Sequence, residues 1–227
     1  MSSSINTLPP YQEKPSSTNG INRLGGTIQT CSIKDGQIDY FSIIRVSETS
    51  YYLSLTVDPT PLYRIELILG PNKLGNIQIF STSSSKLLAA VRVSTDQKSK
   101  SQPIGTICTS SPSDPDAVWR PIALEKGFLA VDYETHIPVV IVPGRAAKSQ
   151  SFLWKIDEGK GGRLCWERPL HNSINPTVND LNFATISIED DGETLVEMRR
   201  GGGIDFELSV ILEAFLLMDL TPKTKLA

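Results

Sequence analysis

Ile204-Asp-Phe-Glu-Leu-Ser-Val-Ile-Leu-Glu-Ala-Phe-Leu-Leu-Met-Asp-Leu220 decides the fold, because its apolar residues fit a helix and no strand. Phe206, Leu208, Val210, Ile211, Leu212, Ala214, Phe215, Leu216, Leu217 and Met218 cover the whole circumference. A helix that is apolar all round has to be buried all round. Gly201 to Gly203 precede it, Asp205 can serve as its N-cap and Pro222 stops it. At roughly 1.5 Å per residue it is about 25 Å long. It is also interrupted by Glu207, Glu213 and Asp219. A bilayer needs about 20 apolar residues, so no transmembrane span is expected.

Upstream the period changes to two. In Tyr51 to Val57, Leu53, Leu55 and Val57 share one face while Ser54 and Thr56 share the other. Ile65, Leu67 and Leu69 alternate with Arg64 and Glu66 in the same way, and Ile77 and Ile79 flank Gln78. These are half-buried antiparallel strands. Further candidates are Lys86 to Val93, Ile104 to Thr109, Ala117 to Ala123, Phe128 to Tyr133, Ile137 to Val142, Phe152 to Ile156 and Arg163 to Arg168. Ala184 to Ile188 and Val196 to Met198 flank Asp191-Gly192, a dipeptide that tolerates the positive φ of a tight hairpin, as does Asp35-Gly36. About a dozen strands result, with no helical period before residue 204. Strands of six or seven residues run about 20 to 23 Å, which matches the helix. The expected fold is all-β with one central helix: a closed antiparallel barrel around the C-terminal helix, preferred to a sandwich with the helix on one edge.

The length, 227 residues, suits one such domain. With 39% hydrophobic and 21% charged residues the chain is neither wholly disordered nor a polytopic membrane protein. Lys and Arg total 22 against 25 Asp and Glu, a net charge of -3, so no global pull toward nucleic acid exists and any anion site must be local. Residues 1 to 26 are rich in Ser, Pro, Asn and Gly and read as a flexible tail, residues 27 to 221 as the barrel domain, and 222 to 227 as a short second tail. Cys31, Cys108 and Cys165 are odd in number and unpaired in sequence. That pattern, with no signal peptide, points to a cytoplasmic protein, peripheral to a membrane or nuclear.

A chain of this size ending in one hydrophobic helix resembles the tubby C-terminal-like superfamily, which includes tubby proteins, phospholipid scramblases and LURP-one-related proteins, and tubby-like domains of fungi. The residues that carry the resemblance are Leu195-Val-Glu-Met-Arg199, Gly201 to Gly203 and Asp205 to Asp219, with Phe152-Leu-Trp-Lys-Ile156 and Leu164-Cys-Trp166 in support. It spans roughly residues 45 to 220. The resemblance implies a twelve-stranded barrel enclosing the helix and, from tubby domains, binding of phosphoinositide headgroups. Unlike scramblases, the chain has no cysteine cluster for palmitoylation, and its acidic loop Glu189 to Glu193 is too short for a calcium loop.

No catalytic constellation emerges, so a non-enzymatic protein is expected, with no cofactor. Only His136 and His171 exist, neither has a second metal ligand at short spacing, and no Gly-x-Ser-x-Gly elbow occurs. Three weaker candidates remain. Arg199, Arg200, Gly201 and Gly202 stand before the helix N-terminus, where amide groups and two guanidiniums can hold phosphate, or where the glycines simply thread the chain into the barrel. Lys155, Lys160 and Arg163 surround the Glu158-to-Arg163 hairpin beside Trp154 and Trp166, which suits an anionic phospholipid headgroup or else a core Trp pair beside a solvated basic turn. Leu8, Pro9, Pro10 and Tyr11 fit the Leu/Pro-Pro-x-Tyr pattern read by WW domains, with Leu in the first place, so a WW-domain protein is the alternative partner. Finally, Glu213 lies mid-helix, where an unpaired charge would be too costly, so it is expected to pair with a strand Arg or Lys or to look out through a barrel opening.

Overall fold

Twelve antiparallel strands pair side by side in chain order until β12 meets β1, which closes the ring. They are β1 (Ile38–Arg45), β2 (Ser50–Leu55), β3 (Asp58–Leu69), β4 (Leu74–Ser81), β5 (Leu87–Val93), β6 (Gly105–Cys108), β7 (Arg120–Lys126), β8 (Val131–Val139), β9 (Lys148–Asp157), β10 (Gly161–Trp166), β11 (Ala184–Ile188) and β12 (Thr194–Arg199). The computed structural model describes residues 33, 36–70, 74–94, 103–126, 131–142, 144–157, 161–166, 182–188 and 194–220. Closure runs through β1, whose Phe41 lies opposite Val196 of β12 on one side and Leu55 of β2 on the other.

Alternation explains the interior. Phe41, Leu53, Ile65, Ile77, Ile79, Val91, Ile107, Ile122, Ile137 and Val139 point inward and are almost fully shielded from solvent. The helix α1 (Ile204–Leu220) fills the space they enclose, packing on β4, β5, β6, β8 and β12. Residues Phe206 to Leu217 are all buried, as a helix apolar on every side requires. Each fully buried Leu, Ile, Val or Phe contributes about 1.5–3 kcal/mol, so tertiary burial, more than propensity, holds this helix. Among the described residues no helix is long and apolar enough to cross a membrane.

The strand number agrees with expectation, but the strands differ in two places. Ile38 to Arg45 was not among the expected strands, since Ile43-Ile44 breaks its alternation, yet it closes the barrel as β1. Conversely, Phe128 to Tyr133 and Ile137 to Val142 were expected as two strands, but β8 runs unbroken through His136 and Pro138. Pro138 still has Ser149 of β9 as its register partner there. β11 and β12 pair antiparallel as read, with Ile188 opposite Thr194, while Asp191-Gly192 itself lies outside the described residues. Gly36 does not sit in a hairpin of described strands; a Cβ there would stand 1.7 Å from the Arg200 carbonyl oxygen.

Candidate functional site

The turn into α1 is built for threading. Gly201 and Gly203 have φ of 94° and 98°, where a side chain would be strained. The Gly203 carbonyl accepts the first helical N–H, from Glu207 at 3.0 Å, and the Gly202 carbonyl accepts the N–H of Val140 at 2.9 Å. Gly203 is thus the N-cap position, and Asp205 lies inside the first turn instead. Its Oδ1 accepts the Thr109 hydroxyl at 2.9 Å.

The two arginines before that turn are engaged by the protein. Arg200 Nε is 3.4 Å from Asp39 Oδ2 and its Nη1 is 3.2 Å from Glu207 Oε2. Arg199 Nη1 donates to the Gly36 carbonyl at 3.3 Å. Gly201 and Gly202 are buried. An anion here would have to displace two carboxylates, one of them shielded from water. Arg200→Ala would leave Glu207 buried beside Tyr63, whose phenol burial already pushes upward, with Glu207 adding to the shift. The expected cost is about 1–3 kcal/mol, seen as a lowered urea midpoint. An unchanged midpoint would show that the pair contributes nothing.

Of the basic hairpin, Lys155 and Arg163 are exposed register partners on the outer face, and Asp132 lies opposite Lys155 on β8. Lys160 lies outside the described residues. The two tryptophans are core groups: Trp154 faces Leu164 in register and Trp166 faces Phe152. Trp166 packs 4.5 Å from the Phe183 ring, beside Phe152. Leu8 to Tyr11, the acidic loop Glu189 to Glu193 and His171 also lie outside the described residues. His136 is exposed, with Nε2 3.8 Å from Glu134 Oε1. No cluster of metal-ligating side chains occurs among the described residues.

Glu213 is buried, and neither expected solution holds. Its partners are neutral donors: the Thr135 hydroxyl at 2.6 Å to Oε1 and the Trp154 indole N–H at 2.8 Å to Oε2. Arg120 pulls on it only at longer range. That guanidinium instead donates to the Ser209 hydroxyl at 3.0 Å and to the His136 carbonyl. Asp205, Ser209 and Glu213 recur every four residues, so they form one polar stripe down α1 facing β6 to β9. Burial raises the Glu213 carboxyl to about 7, against the lowering pull of Thr135, Trp154 and Arg120.

Among the described residues, an arrangement that suits a ligand lies outside the barrel, on the polar face of strands read as half-buried. Ile44, Tyr52, Arg64 and Phe80 are successive register partners across β1, β2, β3 and β4. An open cleft of about 200 Å³ lies there, lined by Tyr52, Arg64, Ser81, Thr82 and Ser85. Arg64 is 4.8 Å over the Phe80 ring and its Nε is 3.2 Å from Glu66 Oε1. That contact is an ion pair without hydrogen-bond alignment, because the Nε has no hydrogen-bond partner. Among the described residues, no protein acceptor takes the guanidinium N–H groups of Arg64 in a hydrogen bond. The Thr82 hydroxyl donates to the Leu62 carbonyl at 3.0 Å, pinning the β4–β5 turn to β3. One signal for this cleft was present in the sequence, the run Ser81-Thr-Ser-Ser-Ser-Lys86. Nothing local showed that it folds against Arg64.

No protein-family model matches the chain, and no characterised protein matches it.

Proposed function

We propose that the chain is a non-enzymatic, tubby-like binding module whose ligand is the phosphate of an anionic phospholipid headgroup, taken up in the Arg64 cleft. The observation that carries this reading is the guanidinium of Arg64, on a side chain 35% exposed and with no hydrogen-bond acceptor among the described residues, in a cleft lined by hydroxyls. Guanidinium presents paired N–H donors that match two phosphate oxygens, and the Tyr52 and Ser85 hydroxyls can supply more. Glu66, beside Arg64, weakens the pull on any anion, so a ligand has to offer more acceptor oxygens than the carboxylate it competes with, as a phosphate does. A lipid source is favoured over a free phosphate ester by the flanks. Ile44 is 45% exposed and continues the same row, with Tyr52 and Phe80 on either side of the arginine, a mixture suited to a bilayer interface.

The test is co-sedimentation with phosphatidylcholine vesicles, with and without a phosphoinositide. Binding is expected only with the phosphoinositide and should weaken with added salt. Arg64→Gln should reduce it about tenfold or more, the loss of one charge-assisted hydrogen bond of about 1.5–3 kcal/mol, with the melting curve unchanged. A soluble inositol phosphate that binds as tightly as the vesicles would assign the cleft to a free phosphate compound. Vesicle binding indifferent to Arg64→Gln would remove the cleft from the reading. If vesicles are not bound and a WW domain captures the full chain through Leu8 to Tyr11, the adaptor reading replaces this one.

A further inference from the structure

The β4–β5 turn presents serine hydroxyls at the rim of this cleft. Ser83, Ser84, Ser85 and Lys86 are all exposed. The turn is tied down at its ends, by the Ser81 N–H to the Lys86 carbonyl at 3.0 Å and the Thr82 N–H to the Leu62 carbonyl at 3.3 Å. Ser84 and Ser85 between them make no hydrogen bond to described residues, so this short segment can leave the surface at little cost to the sheet. Ser85 alone of the exposed serines lines the cleft. It also has φ of 54°, the left-handed region, so the chain turns sharply at this residue. The Ser83 hydroxyl is instead paired with that of Ser81 at 2.8 Å.

We propose that Ser85 is a phosphorylation site, and that a phosphate on its Oγ pairs with Arg64 inside the cleft and shuts out an external anion. The step is phosphoryl transfer from a nucleoside triphosphate by a serine kinase. The Oγ–P bond forms as the bond to the leaving nucleoside diphosphate breaks, and the hydroxyl proton passes to the kinase's base. The product adds a charge of about -1.5 to -2 and three acceptor oxygens, the complement of unsatisfied guanidinium N–H groups. The shutting-out rests on the headgroup reading above, whereas the pairing of Ser85 phosphate with Arg64 does not.

The experiment uses the full chain with phosphoserine placed at position 85 during translation, followed by phosphorus NMR against pH. A free phosphoserine loses its second proton near pH 6. Pairing should move that midpoint down by about half a unit or more, and Arg64→Gln should return it. Phosphoserine at position 84 serves as the control, with the same charge in the same turn but outside the cleft, and should titrate as free. Equal midpoints at 84 and 85, or a midpoint at 85 indifferent to Arg64→Gln, overturns the proposal. Phosphoinositide vesicles should bind the form modified at 85 at least tenfold more weakly than the unmodified chain, and equal binding overturns the shutting-out. A shifted midpoint together with no vesicle binding by the unmodified chain supports the pairing and overturns the headgroup reading instead. Mass spectrometry of the chain from its own cells should find phosphate on Ser85, and phosphate confined to other serines overturns its assignment.

Discussion

Phe215→Ala is expected to lower the unfolding free energy by about 3–5 kcal/mol, a large share of the stability of an ordinary domain. The ring is 4% exposed and meets Tyr51 of β2 edge-on, with centroids 5.4 Å apart. Truncation removes the transfer energy of the ring, the aromatic contact of about 0.5–1.5 kcal/mol and the atoms that fill the barrel. The cavity would be walled by helix on one side and hydrogen-bonded sheet on the others, so little collapse can repair it. For a chain of this length the melting temperature should drop by roughly 10 °C. Thermal unfolding followed by tryptophan fluorescence is a direct measure, since Trp154 and Trp166 line the same core. A drop of only a degree or two would be incompatible with an enclosed helix.

Stability should also fall as pH rises from about 4.5 to above 7, and Glu213→Gln should abolish most of that slope. The folded-state carboxyl is raised to about 7 from 4.5. Between those values the folded state keeps a proton that the unfolded chain has released, so folding is favoured by low pH. The advantage is fully present below about 4.5 and is lost as pH passes through about 7. A shift of this size corresponds to about 3 kcal/mol, at 1.36 kcal/mol per pH unit. Glutamine keeps the geometry without the charge: its carbonyl can accept from Trp154, and its amide can donate to the Thr135 oxygen once that hydroxyl rotates. Urea unfolding at pH 5 and pH 8 measures the effect. The wild type should lose stability between the two and the variant should not; parallel behaviour of both proteins would mean that Glu213 does not titrate in this range.

The parts of the structure set by local pattern were legible. Ile204 to Leu220 is a helix because no other arrangement buries ten apolar side chains at that spacing, and Ile65 and Ile77 face inward because their neighbours are Arg64, Glu66 and Gln78. β1 escaped because Ile43 and Ile44 are adjacent, and its assignment depends on partners 153 to 161 residues away in β12. Glu213 raised the right question, what satisfies a buried carboxylate, but Thr135 and Trp154 are 78 and 59 residues distant and look in sequence like ordinary strand residues. The cleft was the least legible. Arg64 and Glu66 on the polar face of a strand look like solvated charges, and only the β4–β5 turn folding back toward β3 makes a concave site of one of them.

The seam between β1 and β12 has a kinetic consequence. The chain that forms α1 follows β12, so a ring that zipped shut early would have to admit a bulky apolar helix through a completed sheet. Docking of the helix must therefore accompany or precede the final pairing, and neither the hairpins nor α1 can reach its stable form alone. Most of the pairing can proceed locally between consecutive strands, but the last step joins the most distant ones, and contacts of that separation slow folding. Until it happens, β1 and β12 are bare edges and the apolar wall of the barrel is open, which makes the half-zipped sheet the species most prone to self-association. Dilution or a holdase chaperone should raise the refolding yield of this protein more than its speed.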